Sequence, residues 1–194
     1  PSFESITVAL ATVEGTALDP EDYTGYTGGA ITFAPGETSK NITIATIDDA
    51  IYEVTENFTL NGEVTSGTTV NTTASGTGTI TDNDGDAPTL SISDVTVVEG
   101  VDAVFAVSLD KPSFESITVA LATAEGTALD PEDYTGYSGG SITFAPGETS
   151  KNITIATIDD AIYEVTENFT LNGEVTSGTT ANTTASGTGT ITDN

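Results

Sequence analysis

Apolar and polar residues alternate with a period of two in one short segment after another between Pro88 and Asn194. In the segment 116–122, Ile117, Val119 and Leu121 fall on the same face of an extended chain. Turn sequences, such as Ala-Pro-Gly-Glu at 145–148, separate the segments. We predict strands in seven of them: 89–93, 101–109, 116–122, 141–144, 151–158, 168–175 and 186–192.

The pattern predicts an all-β fold. No segment shows a sustained apolar stripe of helical period, and threonine dominates the positions that would face outward on a half-solvated strand. Turns recur about every 8 to 12 residues, a spacing that favours two packed antiparallel sheets of the immunoglobulin-like kind. A small barrel would share much of this pattern, so the sequence leaves that choice open.

The chain also repeats itself. A shift of 111 residues lays 1–83 onto 112–194 with 79 of 83 positions identical. We therefore predict a first domain at 1–83, a short acidic linker at 84–87 and a complete second domain at 88–194. The first domain lacks the counterpart of 88–111, about two strands, and would expose core and an unpaired edge. We expect these strands to come from upstream sequence; the alternative is that another chain supplies them.

The charge of the chain restricts its partners. Lys40, Lys111 and Lys151 face 30 Asp and Glu, which gives a net charge of −27. Such a polyanion is repelled by nucleic acid and by anionic membrane surfaces, and no stretch approaches the roughly 20 apolar residues that span a bilayer. We expect no nucleic acid partner and no membrane insertion. Cations are the expected partners.

Missing residue types narrow the chemistry further. The chain has no His, Cys, Trp, Met or Arg, so disulfides and thiolate metal sites are excluded and a Ser or Thr nucleophile has no His base. Paired carboxylates could in principle hydrolyse a substrate, yet near-duplicate acidic loops do not suit a single unrepeated cleft. We predict that the chain is not an enzyme. Carboxylate and carbonyl oxygens suit hard ions such as Ca²⁺.

Acidic residues recur in three predicted loop clusters per repeat. If loops at one end of a sandwich bring them together, their mutual repulsion favours a bound cation; scattered clusters would simply be solvated.

The stretch Asp82–Asp86 begins like an EF-hand loop, but its twelfth position is Ser93 rather than Glu. The alternative nonapeptide Gly-Gly-x-Gly-x-Asp of calcium-binding β-rolls does not occur.

The motifs instead resemble the Calx-beta domain over essentially the whole unit. They are VVEG at 97–100, GTALDPEDY at 126–134, SGGSITFAPGETSKNITIATIDD at 138–160, YEVTENF at 163–169 and GTITDN at 189–194. The resemblance implies an immunoglobulin-like sandwich that binds Ca²⁺ at one pole. It also implies ligands in the second repeat at Glu99, Asp133, Asp159, Asp160, Glu164, Glu167 and Asp193. The implied ligands of the first repeat are Asp22, Asp48, Asp49, Glu53, Glu56, Asp82 and Asp84.

The chain departs from the family pattern at two positions of each repeat. Ala50 and Ala161 stand where multi-ion members have a third Asp, and Asn83 and Asn194 also replace an Asp. Fewer charges imply fewer or weaker ions per repeat.

We expect a structural extender: calcium-stiffened repeats of a large bacterial surface adhesin or extracellular fibre, located at the cell surface. Its partners would be Ca²⁺ and neighbouring repeats, and the ion would rigidify both the loop pole and the domain junction. One alternative is a filament subunit that exchanges strands between chains. Another is an intracellular Ca²⁺ sensor attached to a transporter.

Overall fold

The computed structural model describes all residues from Pro1 to Asn194, and its regular elements are strands. None of its segments is a helix able to cross a membrane. The chain divides into two compact units, Pro1–Asp49 with Val54–Asn83 and Ala50–Glu53 with Asp84–Asn194. The first unit contains β1 (Ile6–Glu14), β2 (Gly29–Phe33), β3 (Glu56–Ser66) and β4 (Thr73–Ile80). The second contains β5 (Leu90–Ile92), β6 (Val95–Val98), β7 (Ala103–Leu109), β8 (Ile117–Glu125), β9 (Gly140–Phe144), β10 (Ser150–Ile155), β11 (Glu167–Ser177) and β12 (Thr184–Thr192).

The second unit is a sandwich of two sheets, which confirms the predicted fold class. One sheet has the strand order β6-β12-β11-β8-β9, and the other has the order β10-β7-β5. Each of the seven predicted segments overlaps an observed strand. The eighth strand, β6, was missed because it has only four residues, and it pairs in parallel with β12. The expectation of wholly antiparallel sheets was therefore wrong at this edge.

The core of the second unit lies between its two sheets. The face predicted from 116–122 is buried, since Ile117, Val119 and Leu121 are at most 2% exposed. Phe169 stands at the centre: its ring stacks on Tyr134 with centroids 4.2 Å apart and meets Phe105 edge-on at 5.8 Å. Each fully buried side chain of this size contributes about 1.5 to 3 kcal/mol relative to an exposed one.

The first unit has a single sheet, in the order β2-β1-β3-β4. Ile6 and Val8, the counterparts of buried residues in β8, are only half-buried. The segment Ser39–Ile44 has the same sequence as β10 but forms no strand. The core that remains is small and centres on Tyr23 stacked on Phe58 at 4.3 Å.

Candidate metal centre

Strand pairing gathers acidic residues at one end of the second unit. Glu167 begins β11 and pairs with Ile191 of β12, and Asp193 directly follows that strand. Because β6 runs parallel to β12, Glu99, the residue after β6, also follows the end of that pair, and its N–H donates to the carbonyl of Thr192 at 3.0 Å. Antiparallel and parallel pairing therefore bring three separate segments to one end of the sheet.

Three carboxylates form the centre of this group. Oxygens of Asp133, Glu164 and Glu167 all lie within 4.8 Å of one another, and the three residues are half-buried. Asp133 is held by its own loop, since its Oδ2 accepts a hydrogen bond from the Leu129 N–H at 2.7 Å. The carbonyl of Asp133 accepts another from the Ile158 N–H at 2.9 Å.

Further acids surround this centre and act on its protonation. Partial desolvation raises the pKa of Glu164, and so do the negative charges of its neighbours. Those neighbours are Asp133, Asp160, Glu99 and Asp193. Desolvation, a hydrogen bond with Asp133 and the charges of Asp133 and Glu164 raise the pKa of Glu167. Both pKa shifts mean that the ionised forms of Glu164 and Glu167 are disfavoured. A bound cation would stabilise these ionised forms and so lower both pKa values.

The cationic side chains of the protein are engaged elsewhere. Lys151 pairs with Glu148 at 2.8 Å, and Lys40 pairs with Glu37 at 2.9 Å. The ammonium of Lys111 donates to the carbonyl of Asp86 at 2.8 Å. No lysine therefore neutralises the acidic group, which leaves its repulsion to be balanced by protons or by a metal ion.

Asp159 occupies a different position from its neighbour Asp160. It is exposed, and its Oδ1 accepts a hydrogen bond from the Asn194 side-chain amide at 2.9 Å. A Cβ atom at Gly100 would come within 2.8 Å of the Asp159 Cβ, and Gly100 has a positive φ of 75°. Asn194 thus contacts Asp159, which the sequence did not reveal because an Asn in place of an Asp indicates only the loss of a charge.

The first repeat places part of the equivalent group in the first unit. Asp22 and Glu56 are buried, at 4% and 5% exposure, and carry carboxylate oxygens within 4.8 Å of each other. The Oδ2 of Asp22 accepts a hydrogen bond from the Leu18 N–H at 2.6 Å, as Asp133 does from its loop. The two acids occupy the positions that correspond to Asp133 and Glu167 of the second repeat.

The remaining predicted ligands of the first repeat are less closely defined. Asp48 and Asp49 are exposed, and Asp82 is half-buried. Glu53 and Asp84 fall in the segments that form part of the second compact unit. The ligand roles of all five residues stay predictions.

Fold and site together define a protein built from repeated β-sheet units with carboxylate groups able to hold a metal ion. The sequence profile of the Calx-beta domain matches residues 3–86 and 81–194, and the chain belongs to this family. Calx-beta domains bind Ca²⁺, and the acidic groups around Asp22 and Asp133 are of a type that could hold this ion.

Curated relatives are sodium/calcium exchangers. Sodium/calcium exchanger 1 of Canis lupus familiaris is 28% identical over 187 residues, which are 86% of this chain and 19% of the exchanger. The exchanger of Cavia porcellus is 29% identical over the same length and coverage. The chain therefore spans about a fifth of the length of these relatives.

Solved structures of similar fold include two from Calx. The apo form of the Calx CBD1 domain has a TM-score of 0.41 and 22% identity, covering 55% of this chain and 98% of that one. The tandem CBD12 of CALX1.2 has a TM-score of 0.39 and 20% identity, covering 98% of this chain and 89% of that one.

Proposed function

We propose that each repeat binds Ca²⁺ through its acidic group and that the chain is a calcium-responsive module of a larger protein. The observation that carries this proposal is the grouping of Asp133, Glu164 and Glu167, whose carboxylate oxygens lie within 4.8 Å of one another while the lysines pair elsewhere. Ca²⁺ accepts six to eight oxygen ligands in irregular geometry, which suits carboxylates gathered from several loops.

The proposed ligands differ in how well the structure supports them. Asp133, Glu164 and Glu167 form the centre of the second site, with Glu99, Asp160 and Asp193 at its border. Asp159 would join through a rearrangement of its bond with Asn194. In the first repeat, Asp22 and Glu56 are the best-supported ligands. We propose as further ligands there Asp48, Asp49, Glu53, Asp82 and Asp84.

The relatives favour a sensor over an extender. Exchangers match 86% of this chain, and none of the relatives described above is an adhesin or a fibre protein. We therefore propose a regulatory module that senses Ca²⁺ within a larger protein, and we place the extracellular adhesin reading second. The observation that favours the second reading is the identity of 79 of 83 positions between repeats, which suits a uniform array.

Calorimetric titration of the full chain with Ca²⁺ tests the proposal. We expect saturable binding, and we expect Glu167→Gln to weaken it at the second site. Glu174→Gln is the matched control, because Glu174 lies on the same strand, seven residues further along, and outside the acidic group. Absence of binding by the unmodified chain, or equal loss in both variants, would contradict the site.

The dissociation constant for Ca²⁺ then distinguishes a calcium sensor from an extracellular adhesin module. Dissociation constants in the micromolar range suit a cytosolic-type sensor, whereas constants near a millimolar suit extracellular modules. X-ray scattering with and without Ca²⁺ provides the second criterion. A sensor requires a change in the scattering profile at the same calcium concentration that saturates the sites.

A further inference from the structure

One buried hydroxyl joins two of the segments that carry the proposed ligands. Thr157 is 8% exposed, and its hydroxyl donates a hydrogen bond to the carbonyl of Val101 at 2.9 Å. Both residues lie beyond the ladder of β10 with β7, since β10 ends at Ile155 and β7 begins at Ala103. A side chain thus makes a connection where backbone pairing has ended. Such a buried bond is costly to remove, because the carbonyl loses its partner.

The hydroxyl bond continues the register of β10 with β7. The last pair of that antiparallel ladder is Ile155 with Ala103. The same register carried two residues further gives the hydroxyl bond, and carried four residues further it places Asp159 opposite Glu99. The close approach of Gly100 to Asp159, whose Cβ would lie 2.8 Å from an added Cβ, agrees with this register. The hydroxyl therefore closes the strand pair next to two opposed acids.

The backbone of Thr157 is anchored on its other side by the loop that contains Asp133. The N–H of Ile158 donates to the carbonyl of Asp133 at 2.9 Å. The N–H of Thr135 donates to the carbonyl of Ala156, also at 2.9 Å. The side chain of Thr157 thus extends from an anchored backbone to the segment that carries Val101, and it connects the two.

The first repeat has the same threonine without this hydroxyl bond. Thr46 corresponds to Thr157, and its backbone bridges to Tyr23 as that of Thr157 bridges to Tyr134. Thr46 is nevertheless exposed, and the first repeat has no counterpart of Val101 within this chain. The same residue in the same backbone setting therefore serves as an internal control for the hydroxyl.

We propose that Thr157 is a positioning residue of the second calcium site, where it holds Glu99 against the loop that carries Asp159 and Asp160. This inference rests on the proposed calcium binding and adds a residue that acts through Glu99 and not as a ligand. Glu99 is 6% exposed and follows the four-residue strand β6, so few backbone bonds fix it. Without the hydroxyl, repulsion between Glu99 and Asp159 separates the two segments.

Calorimetric titration of the full chain with Ca²⁺ tests this role in the variant Thr157→Val. Valine keeps the branched shape and replaces only the hydroxyl. We expect the dissociation constant of the second site to rise about fivefold, as for the loss of one buried hydrogen bond, and Thr157→Ser to restore it. Thr46→Val is the matched control and should leave the second site unchanged. An unaltered constant in Thr157→Val, or an equal rise in Thr46→Val, would overturn the proposal.

A double-mutant cycle determines whether Thr157 acts through Glu99. In the Glu99→Gln background, Thr157→Val should change the dissociation constant less than about twofold, because the carboxylate that it positions is already lost. The full fivefold rise in both backgrounds would show that the hydroxyl acts by another route, and the proposal would be wrong.

Hydrogen exchange in EGTA measures the same effect without an ion. The N–H of Glu99 bonds to the Thr192 carbonyl at 3.0 Å, and the N–H of Val101 closes the following turn at 3.1 Å. We expect Thr157→Val to speed exchange of these two amides about fivefold, while the amide of Val175, near the far end of β11, keeps its rate. Equal acceleration at Val175 would indicate general destabilisation and contradict a positioning role. Unchanged exchange at Glu99 and Val101 would overturn this inference alone, whereas absence of calcium binding would overturn the proposed function.

Discussion

The Oδ1 of Asp193 accepts a hydrogen bond from the backbone N–H of Glu164 at 3.1 Å, although 29 residues separate the two in the chain. Asp193 follows β12 and Glu164 precedes β11, and the pairing of these strands sets them side by side. The sheet ladder thus brings Glu164 and Asp193 together, whereas Asp133 is held within its own loop.

Removal of Ca²⁺ should destabilise the protein. An ion that binds only the folded state at 100 times its dissociation constant adds about 2.7 kcal/mol per site. For a unit of this size we expect the unfolding midpoint to fall by about 10 °C in EGTA. Differential scanning calorimetry measures this, with Mg²⁺ as the control cation because it demands stricter octahedral geometry. Equal midpoints in EGTA and Ca²⁺ would contradict the proposed function.

Without Ca²⁺, Glu164→Gln should stabilise the second unit at neutral pH. Desolvation and neighbouring acids raise the pKa of Glu164 in the folded protein. The protonated carboxyl therefore stabilises the folded state fully at pH values below the ordinary glutamate pKa of about 4.3. This stabilisation is lost as the pH rises through the raised pKa of the folded state. The variant, which mimics the protonated form, should unfold at a higher temperature than the parent at pH 7. The difference should shrink towards zero near pH 4.

In Ca²⁺ the sign of this effect should reverse, because the variant loses a ligand. Thermal melts at pH 4 and 7, with EGTA and with Ca²⁺, give the four values needed. Glu174→Gln is again the control, and it should show neither the pH dependence nor the reversal. A Glu164→Gln variant that is less stable than the parent in EGTA at pH 7 would count against repulsion within the group.

Replacement of Glu99 should affect one site and spare the other. Glu99 is 6% exposed and its charge acts on Glu164, whereas the first repeat has no counterpart of Glu99 within this chain. We expect Glu99→Gln to weaken calcium binding at the second site by about tenfold or more. Asp102→Asn, an exposed acid three residues away, is the control. Calorimetry should show a shift in one binding phase only.

The same substitution in the two repeats should have unequal costs. Phe144→Ala removes a side chain that is 1% exposed and should cost about 3 to 5 kcal/mol. Phe33→Ala removes the equivalent half-buried ring and should cost clearly less, because part of that ring already contacts water. Hydrogen exchange of amides in β8 and β1 reports each unit separately. Equal losses would indicate that the first sheet is covered in solution.

Much of this arrangement could be predicted from residue patterns. Period-two alternation identified the strands and the buried face of β8. Successive side chains of a strand point to opposite faces, so alternating apolar residues mark the face that packs on the core. The resemblance to the Calx-beta domain predicted seven ligands in the second repeat, and three of them, Asp133, Glu164 and Glu167, lie together in the structure. The short strand β6 was beyond reach, since four residues carry too little periodic signal and its parallel partner lies about 90 residues away.

The sequence by itself determined which faces are apolar, where the carboxylates stand along the chain and that the unit is repeated. Only the tertiary structure decided that Asp159 accepts a hydrogen bond from the Asn194 side chain and that Asp193 accepts one from the Glu164 backbone N–H. Both hydrogen bonds join segments that are distant in the sequence. The clearest case is the six-residue sequence shared by Ser39–Ile44 and Ser150–Ile155. It becomes a strand only beside β7, because a strand exists through the hydrogen bonds that its neighbour supplies.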